Sequence, residues 1–252
     1  MTLIAALVAS IALVHGAAVA AETTPSCVVP ESLLPADIDL TRVATAIKEH
    51  HRLDITVVGS ASSALTGPEG ARFAYPAQLE KALRERLPGN EIKVTAHIQS
   101  RQLTADMAAS LAGIVKEDQP VLVIWQAGTV DAMRGVEPDD FRNSLDQGLD
   151  AIAAGNSDVI LMNMQYSPRT ETMLNVSTYA DVMRWVAEQR DILLFDRLAI
   201  MHYWSDEGIF DLYATTNGYA MAHRVHECIG QALASQIISA GHFDADKLQT
   251  TR

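Results

Sequence analysis

Hydrophobic and polar positions follow two different periods along this chain. Short runs of β-branched and other apolar residues alternate with longer segments in which apolar residues recur at helical spacing. Continuous apolar strands between amphipathic helices are typical of parallel βαβ units whose sheet is covered on both faces. The pattern predicts strands at 54–58, 91–98, 121–125, 158–162 and 192–195. It predicts helices at 38–51, 75–87, 104–115, 139–153, 178–189 and 217–238.

The order of these elements leaves no room for a second domain or an internal repeat. It predicts one α/β domain over residues 53–240, with a five-stranded parallel sheet and helices on both faces. An extension with its own helix is expected before the domain at 22–52, and a short tail after it at 241–252. In such a sheet, ligands bind beyond the carboxyl ends of the strands. The residues that follow each strand are therefore the candidates for a site.

The beginning of the chain is apolar and built from small residues. Residues 2–21 contain no Lys, Arg, Asp or Glu, and Ala18-Val19-Ala20 offers the small-x-small pattern of a cleavage site. This indicates a signal peptide at 1–21, although the basic residues that normally open one are absent; an uncleaved anchor is the alternative. No later stretch is apolar for long enough to span a bilayer. We expect a periplasmic or secreted protein with no integral membrane span after processing.

Charge and cysteine content narrow the possible partners and cofactors. The formal net charge is −12 and the isoelectric point about 5.0, so phosphate backbones repel the chain and nucleic acid is not an expected partner. Two cysteines, Cys27 and Cys228, are predicted to form a disulfide in an oxidising compartment, with two buried free thiols as the alternative. Neither has the spacing of metal ligands, so no metal site and no cofactor are predicted.

Residues with hydroxyl, amide, imidazole and carboxylate groups follow the predicted strands. They are Ser60, Ser62 and Ser63 after the first strand, Gln126 after the third, Tyr166 after the fourth, and His202 and Asp211 after the fifth. Two glycines, Gly59 and Gly128, lie beside them in the turns after the first and third strands. A serine nucleophile, a histidine base and an aspartate that orients the base form the arrangement used in acyl transfer. The segment after the fifth strand, at 202–208, is a polar and aromatic stretch with no predicted helix.

The order of these blocks resembles that of the SGNH (GDSL-like) hydrolases, a superfamily of esterases, lipases and carbohydrate deacetylases. Gly59 matches the first-block glycine, residues 128–131 (GTVD) match the third block in position, and Asp211 lies where the last block belongs. Residues 99–102 (QSRQ) lie where the second block supplies a backbone donor. The resemblance covers roughly residues 53–236. It implies a three-layer flavodoxin-like fold and an activity on ester bonds.

Three positions depart from the pattern of the superfamily. In direct register, the nucleophile falls on Ala61, the third-block asparagine on Val130 and the last-block histidine on Ala214. A one-residue insertion in the first turn presents Ser62 as the nucleophile instead. His202 is then the best available histidine, because it follows the fifth strand among polar and aromatic residues.

The resemblance and the residues together suggest roles for the candidates. Ser62 is the predicted nucleophile and His202 its base, with Asp211 or Asp206 as the orienting acid. Backbone amides near Ser62 and Gly128, helped by the Gln126 amide, are expected to hold the oxyanion. The candidate residues for substrate or oxyanion binding are Gly59, Ser60, Arg101, Gln126, Gly128 and Tyr166.

Each role has a purely structural alternative. The serines can cap a turn, and the Gln126 amide can bind a neighbouring loop. His202 can be a hydrogen-bonding packing residue, and Asp211 can cap the turn around Tyr213. Tyr166, like Trp125 and Trp204, can belong to the core instead of stacking on a sugar.

Two functions are open at this level. The first is an exported esterase that removes O-acyl groups, acetyl above all, from a carbohydrate or a small lipid ester. The second is a non-catalytic SGNH-like protein that binds a glycan or envelope component in the same cleft. The expected partner is a small-molecule or glycan ester.

Overall fold

A computed structural model describes residues 27–67, 69–213 and 218–243 of the 252-residue chain. The predicted signal peptide and most of the predicted tail lie outside these ranges. The described residues form one five-stranded sheet in the order β2-β1-β3-β4-β5, and all its neighbouring strands are parallel. The predicted α/β fold with a parallel sheet is therefore confirmed. The strands are Arg52–Gly59 (β1), Glu91–Ile98 (β2), Leu122–Gln126 (β3), Asp158–Met162 (β4) and Leu193–Phe195 (β5).

Ten α-helices surround this sheet within the described residues. They are Thr41–Thr45 (α1), Gly70–Phe73 (α2), Tyr75–Arg86 (α3), Thr104–Asp118 (α4), Thr129–Arg134 (α5), Pro138–Ala154 (α6), Pro168–Met173 (α7), Val176–Arg190 (α8), Arg197–Asp206 (α9) and Gly218–Ala240 (α10). A π-helical turn, Ala46–His50, continues α1, and 3₁₀ turns form at Glu31–Leu33 and Ala61–Ser63. No helix in these ranges is long and apolar enough to cross a membrane.

Side chains of the central strands alternate between two hydrophobic layers. On β3, Leu122 and Ile124 face the layer that contains α1, α3, α9 and α10, whereas Val123 and Trp125 face the layer of α4, α5, α6 and α8. Every residue of β3 is buried, because both faces of this strand are covered. The edge strand β2 has one fully buried position, Ile92. This is the three-layer arrangement that the hydrophobic pattern predicted.

A disulfide fixes the N-terminal segment to the last helix. Cys27 and Cys228 are bonded, with their Cα atoms 4.9 Å apart and 201 positions apart in sequence. Next to the bridge, the indole Nε1 of Trp204 donates to the carbonyl oxygen of Val28 at 3.1 Å. The predicted disulfide is therefore present, and the segment before the domain packs on α9 and α10.

The structure corrects two predicted elements. The first helix begins at Thr41, not at residue 38, and its second half is π-helical. The stretch after β5 is not a loop but the helix α9, whose N-cap Asp196 accepts a hydrogen bond from the Ala199 amide at 3.0 Å. Ile200 and Trp204 are buried on its inner side, while its polar side chains conceal that periodicity in the sequence.

Candidate functional site

The carboxyl ends of β1 and β3 lie side by side, and a turn rich in serine leaves the first of them. Residues 60–63, named here the serine turn, contain the 3₁₀ turn Ala61–Ser63. Ser60 and Ser63 are buried, whereas Ser62 is half-buried and Ala61 is exposed. Ser62 is therefore the most exposed serine of this turn.

The Gln126 side chain, at the end of β3, organises the serine turn. Its Oε1 accepts hydrogen bonds at 3.1 Å from the Ser60 amide and from the hydroxyls of Ser60, Ser62 and Ser63. Its Nε2 donates to the Ala127 carbonyl and to the Thr129 hydroxyl, both at 3.3 Å. Gln126 is fully buried, so these contacts satisfy an amide that would be costly to leave unpaired. The structure thus brings together three residues that the sequence singled out, Ser60, Ser62 and Gln126.

Two glycines make this close packing possible. A Cβ on Gly59 would lie 2.6 Å from the Ser63 Oγ and 3.2 Å from the Gln126 Oε1, which leaves no room for a side chain. Gly128 has a φ of 91° at the N-cap of α5, and a Cβ there would lie 2.5 Å from the Met164 sulfur. Both predicted glycines therefore shape the backbone that surrounds the serine turn.

A buried polar chain continues behind the serine turn. The hydroxyls of Ser63 and Tyr75 are hydrogen-bonded at 3.0 Å, and the Tyr75 amide donates to the His226 Nδ1 at 3.0 Å. Burial raises the pKa of Tyr75 to about 12. Burial, with the positive charge of Arg197 as a smaller cause, lowers the pKa of His226 to about 3. His226 is therefore neutral at physiological pH and acts as a hydrogen-bond acceptor.

Arg197 joins three strand ends and was not identified from the sequence. Its Nη1 donates to the main-chain carbonyl of Ser62 at 2.9 Å, and its Nη2 donates to the Gln165 Oε1 at 3.3 Å. Arg197 begins α9 after β5, Ser62 follows β1 and Gln165 follows β4. The available signal was a single arginine inside the apolar run 192–201.

Asp131, the last residue of the third block, is hydrogen-bonded to Thr104, which begins α4 just after the second block. Its carboxylate is buried and accepts from the Thr104 amide at 3.1 Å and from the Thr104 hydroxyl at 2.7 Å. Burial raises the pKa of Asp131, and the hydrogen bonds from Thr104 act against that rise. The contact fixes the start of α4 next to α5. The candidate residue Arg101 lies three positions before Thr104; it is exposed and has a φ of 65°.

His202 lies on α9 in a more open environment. Its Nδ1 pairs with the Asp206 carboxylate at 2.8 Å, and its Nε2 lies 3.7 Å from the Glu171 carboxylate. The ring of the buried Tyr166 lies against the imidazole at 4.5 Å between centroids, tilted by 39°. The structure thus pairs His202 with Asp206, while Asp211 accepts from the Tyr213 amide at 3.1 Å.

The structure does not join the two predicted halves of the site by a direct bond. Among the described residues, no hydrogen bond connects His202 or Asp211 with the serine turn. The other histidines with polar or ring contacts have partners elsewhere: His97 with Asp118, His223 with Phe73, His226 with Tyr75, and His242 with Asp39. The catalytic roles of Ser62, His202 and Asp211 stay predictions.

Two aromatic residues considered as sugar-stacking faces belong to the core. Trp125 and Trp204 are fully buried, each in one of the two hydrophobic layers. Of the two interpretations that the sequence left open, core packing therefore holds for these two residues, because strand β3 and helix α9 direct them inward. Tyr166 is also buried, in the same layer as Trp204. Within the described residues, no cluster of His, Cys, Asp or Glu has the geometry of a metal site.

Comparison with known proteins identifies the family. Residues 26–242 match the Non-GDSL lipase-like family. No curated protein sequence matches the chain.

Several solved structures share the fold at low sequence identity. TesA superposes with a TM-score of 0.57 at 22% identity, over 73% of this chain and 99% of TesA. An acetylxylan esterase from Geobacillus stearothermophilus, solved as a catalytic mutant, gives 0.60 at 18% identity over 77% and 95% of the two chains. An α/β hydrolase enzyme from the metagenome of Lake Arreo gives 0.57 at 21% identity over 75% and 95%. These likenesses show a common fold, and the match over residues 26–242 assigns the chain to the Non-GDSL lipase-like family, within the SGNH/GDSL-type hydrolase superfamily.

Proposed function

We propose that this protein is an exported serine esterase that removes acyl groups from small or carbohydrate esters, with Ser62 as its nucleophile. The observation that carries the proposal is the position of Ser62. It is the half-buried serine at the carboxyl end of a central parallel strand, between two buried serines that are held in place. This is the edge at which ligands bind in such sheets.

The hydrogen bonds around Ser62 support a role as nucleophile. Gln126 accepts from its hydroxyl and Arg197 donates to its carbonyl, so both ends of the residue are oriented. In the proposed reaction, the Ser62 Oγ attacks the carbonyl carbon of the ester and its proton passes to a base. The alcohol leaves with that proton, and water then hydrolyses the acyl-serine to release the carboxylic acid and restore the serine.

His202 is the proposed base, and the structure favours Asp206 as its orienting acid. The Asp206 carboxylate is paired with Nδ1, so Nε2 is the nitrogen proposed to take the proton, and the Glu171 carboxylate at 3.7 Å favours its charged form. The base and the nucleophile are not in contact without substrate, so the proposal requires that they approach in the complex. Catalytic hydrogen bonds are often long in free enzymes and shorten when substrate binds.

The proposed substrate is an O-acyl ester, and acetyl esters are the first class to test. One protein of similar fold is an acetylxylan esterase, which motivates the choice of acetylated xylo-oligosaccharides as a substrate. Export is proposed from the apolar residues 2–21 and from the Cys27–Cys228 bridge, since disulfides persist in oxidising compartments such as the periplasm.

The second candidate function is binding without turnover in the same cleft. A specific observation favours it: in the described residues, no histidine is hydrogen-bonded to the serine turn, whose three hydroxyls all reach the Gln126 oxygen. Val130 and Ala214 also replace the asparagine and the histidine of the superfamily pattern. A protein of this kind binds a glycan ester and leaves it intact.

Covalent labelling separates the two functions. A fluorophosphonate reacts only with a serine that is activated as a nucleophile, and tryptic mass spectrometry locates the modified residue. We expect one equivalent of label on Ser62, together with hydrolysis of p-nitrophenyl acetate. The absence of both labelling and turnover in the folded protein would establish the binding function instead.

A further inference from the structure

Arg197 is an unusual residue because its charge is buried among neutral groups. The side chain has no solvent exposure, and within the described residues no carboxylate lies within ion-pair distance of it. Its polar partners are the Ser62 carbonyl and the Gln165 side-chain oxygen. Its Nε is buried and has no hydrogen-bond partner among the residues that the structure describes, and its Cζ lies 5.8 Å from the centre of the Tyr75 ring.

A buried cation of this kind is costly, and an apolar side chain would fill the same space without that cost. Burial lowers the pKa of Arg197 to about 10, so the guanidinium is still charged at neutral pH. Its charge acts on nearby groups, since it is one cause of the lowered pKa of His226, after burial. Such a group is expected where a site uses the positive potential.

The location of the charge indicates what it acts on. The Nη1 atom lies 2.9 Å from the main-chain oxygen of Ser62, directly behind the residue proposed as nucleophile. The same guanidinium fixes the loop after β4 through Gln165 and belongs to the helix that carries His202. Because Arg197 itself is fully buried, its charge is little screened and is expected to stabilise negative charge that develops on the Ser62 Oγ, or on a tetrahedral group bonded to it.

We propose that Arg197 is a positioning residue of the serine turn: it fixes the Ser62 main chain and places a buried positive charge behind the hydroxyl, so that the turn stabilises negative charge. The effect on catalysis rests on the proposed esterase function. The stabilisation of a tetrahedral anion at the turn does not require turnover, so the role of Arg197 can be tested separately from the proposed esterase function.

The test compares Arg197→Gln, Arg197→Lys and the control Arg184→Gln. Arg184 is a partly exposed arginine that pairs with Asp181 and with Asp196, the N-cap of α9, and within the described residues it has no hydrogen bond to the serine turn. It therefore controls for the loss of an arginine at the start of the same helix. For p-nitrophenyl acetate, Arg197→Gln is expected to lower kcat about 100-fold with little change in KM, because the charge acts on the transition state. Arg197→Lys restores the charge without the guanidinium fork and is expected to regain about tenfold. Arg184→Gln stays near wild type.

A second readout uses methylphosphonate, a stable tetrahedral anion, and measures its dissociation constant by calorimetry. We expect Arg197→Gln to weaken binding at least about tenfold and the control to leave it unchanged. Wild-type kcat in a folded Arg197→Gln overturns the inference. If the wild type hydrolyses no ester, the proposed esterase function fails, and only the dissociation constant for methylphosphonate then tests the role of Arg197. Arg197-dependent binding then supports the inference, and absent or Arg197-independent binding overturns it.

The Arg197→Gln variant must be folded for this comparison, as judged by its thermal unfolding. If it does not fold, Arg197→Lys decides with the same readouts. It is expected to lose about tenfold in kcat or in methylphosphonate affinity, because one ammonium cannot hold both the Ser62 carbonyl and Gln165. Wild-type values in that variant overturn the positioning role.

Discussion

The two halves of the candidate site differ in how tightly they are built. The serine turn is interlocked: Gln126, Tyr75 and Arg197 contact it from the buried side, and two of its three serines have almost no exposure. The His202 half lies on the outer side of α9, where side-chain exposures of 42% for His202 and 63% for Asp206 leave their ion pair open to water. The nucleophile half is therefore part of the core, whereas the base half lies at the surface.

This difference has a thermodynamic consequence that can be measured. Groups in the serine turn are buried and mutually hydrogen-bonded, so their removal leaves unpaired partners and lowers the free energy of unfolding. An exposed ion pair contributes little to stability, because water and salt screen it. Substitutions in the two halves are therefore expected to separate into those that destabilise the fold and those that do not.

The largest loss of stability is expected for Gln126→Ala. Removal of the amide leaves the buried Ser60 N–H without its acceptor and opens a cavity among three serine hydroxyls. We expect the free energy of unfolding to fall by about 3 kcal/mol, measured by urea denaturation. Gln102→Ala, which truncates a half-buried amide at the same edge of the sheet, is the control and should change it by less than about 1 kcal/mol. Equal losses of unfolding free energy in the two variants would show that Gln126 does not organise the serine turn.

A smaller effect is expected from the pH dependence of His226. Its pKa is about 3 in the folded protein and about 6.5 in the unfolded chain, so below pH 6.5 the unfolded state binds more protons. The stability that this neutral histidine contributes is therefore complete above pH 6.5 and is lost as the pH falls toward 3. At pH 5 the loss amounts to about 2 kcal/mol.

The variant His226→Asn tests this dependence, because its side-chain oxygen can accept from the Tyr75 amide without titrating. Urea unfolding at pH 7 and pH 5 gives the change in stability for each protein. We expect the wild type to lose about 2 kcal/mol more than the variant over this interval. Identical losses in the two proteins would mean that His226 is not held neutral.

The smallest effect on stability is expected in the other half of the site. Asp206→Asn removes the carboxylate that pairs with His202 at the exposed end of α9. The free energy of unfolding should change by at most about 0.5 kcal/mol, whereas kcat should fall at least about tenfold if Asp206 orients the base. Asp211→Asn is the matched comparison. A large destabilisation by Asp206→Asn would place this pair in the core and contradict the contrast between the halves.

The sequence predicted the fold more completely than it predicted the site. The bounds of β2 and β4 agree with the structure residue for residue, because β2 alternates apolar and polar residues as an edge strand does and β4 is a short apolar run between helical segments. Helix α9 was missed because its buried positions are interrupted by His202 and Tyr203.

Part of the site could be predicted from the sequence because its residues directly follow the strands. Gln126 is a polar residue at the end of a buried strand, and the serines after β1 form a recognisable turn. Arg197 and His226 could not be predicted in this way, since they contribute through contacts between elements far apart in sequence. No local pattern encodes such contacts.

Three alanine variants in the serine turn test whether Ser62 is the nucleophile of an esterase. Ser60→Ala, Ser62→Ala and Ser63→Ala each remove one hydroxyl that reaches the Gln126 oxygen, so they are matched in chemistry and position. Each is assayed for hydrolysis of p-nitrophenyl acetate and for thermal unfolding. We expect Ser62→Ala alone to lower kcat by several orders of magnitude with the fold intact. The two buried serines should instead cost about 1 kcal/mol of stability each. Wild-type turnover in folded Ser62→Ala would contradict the account.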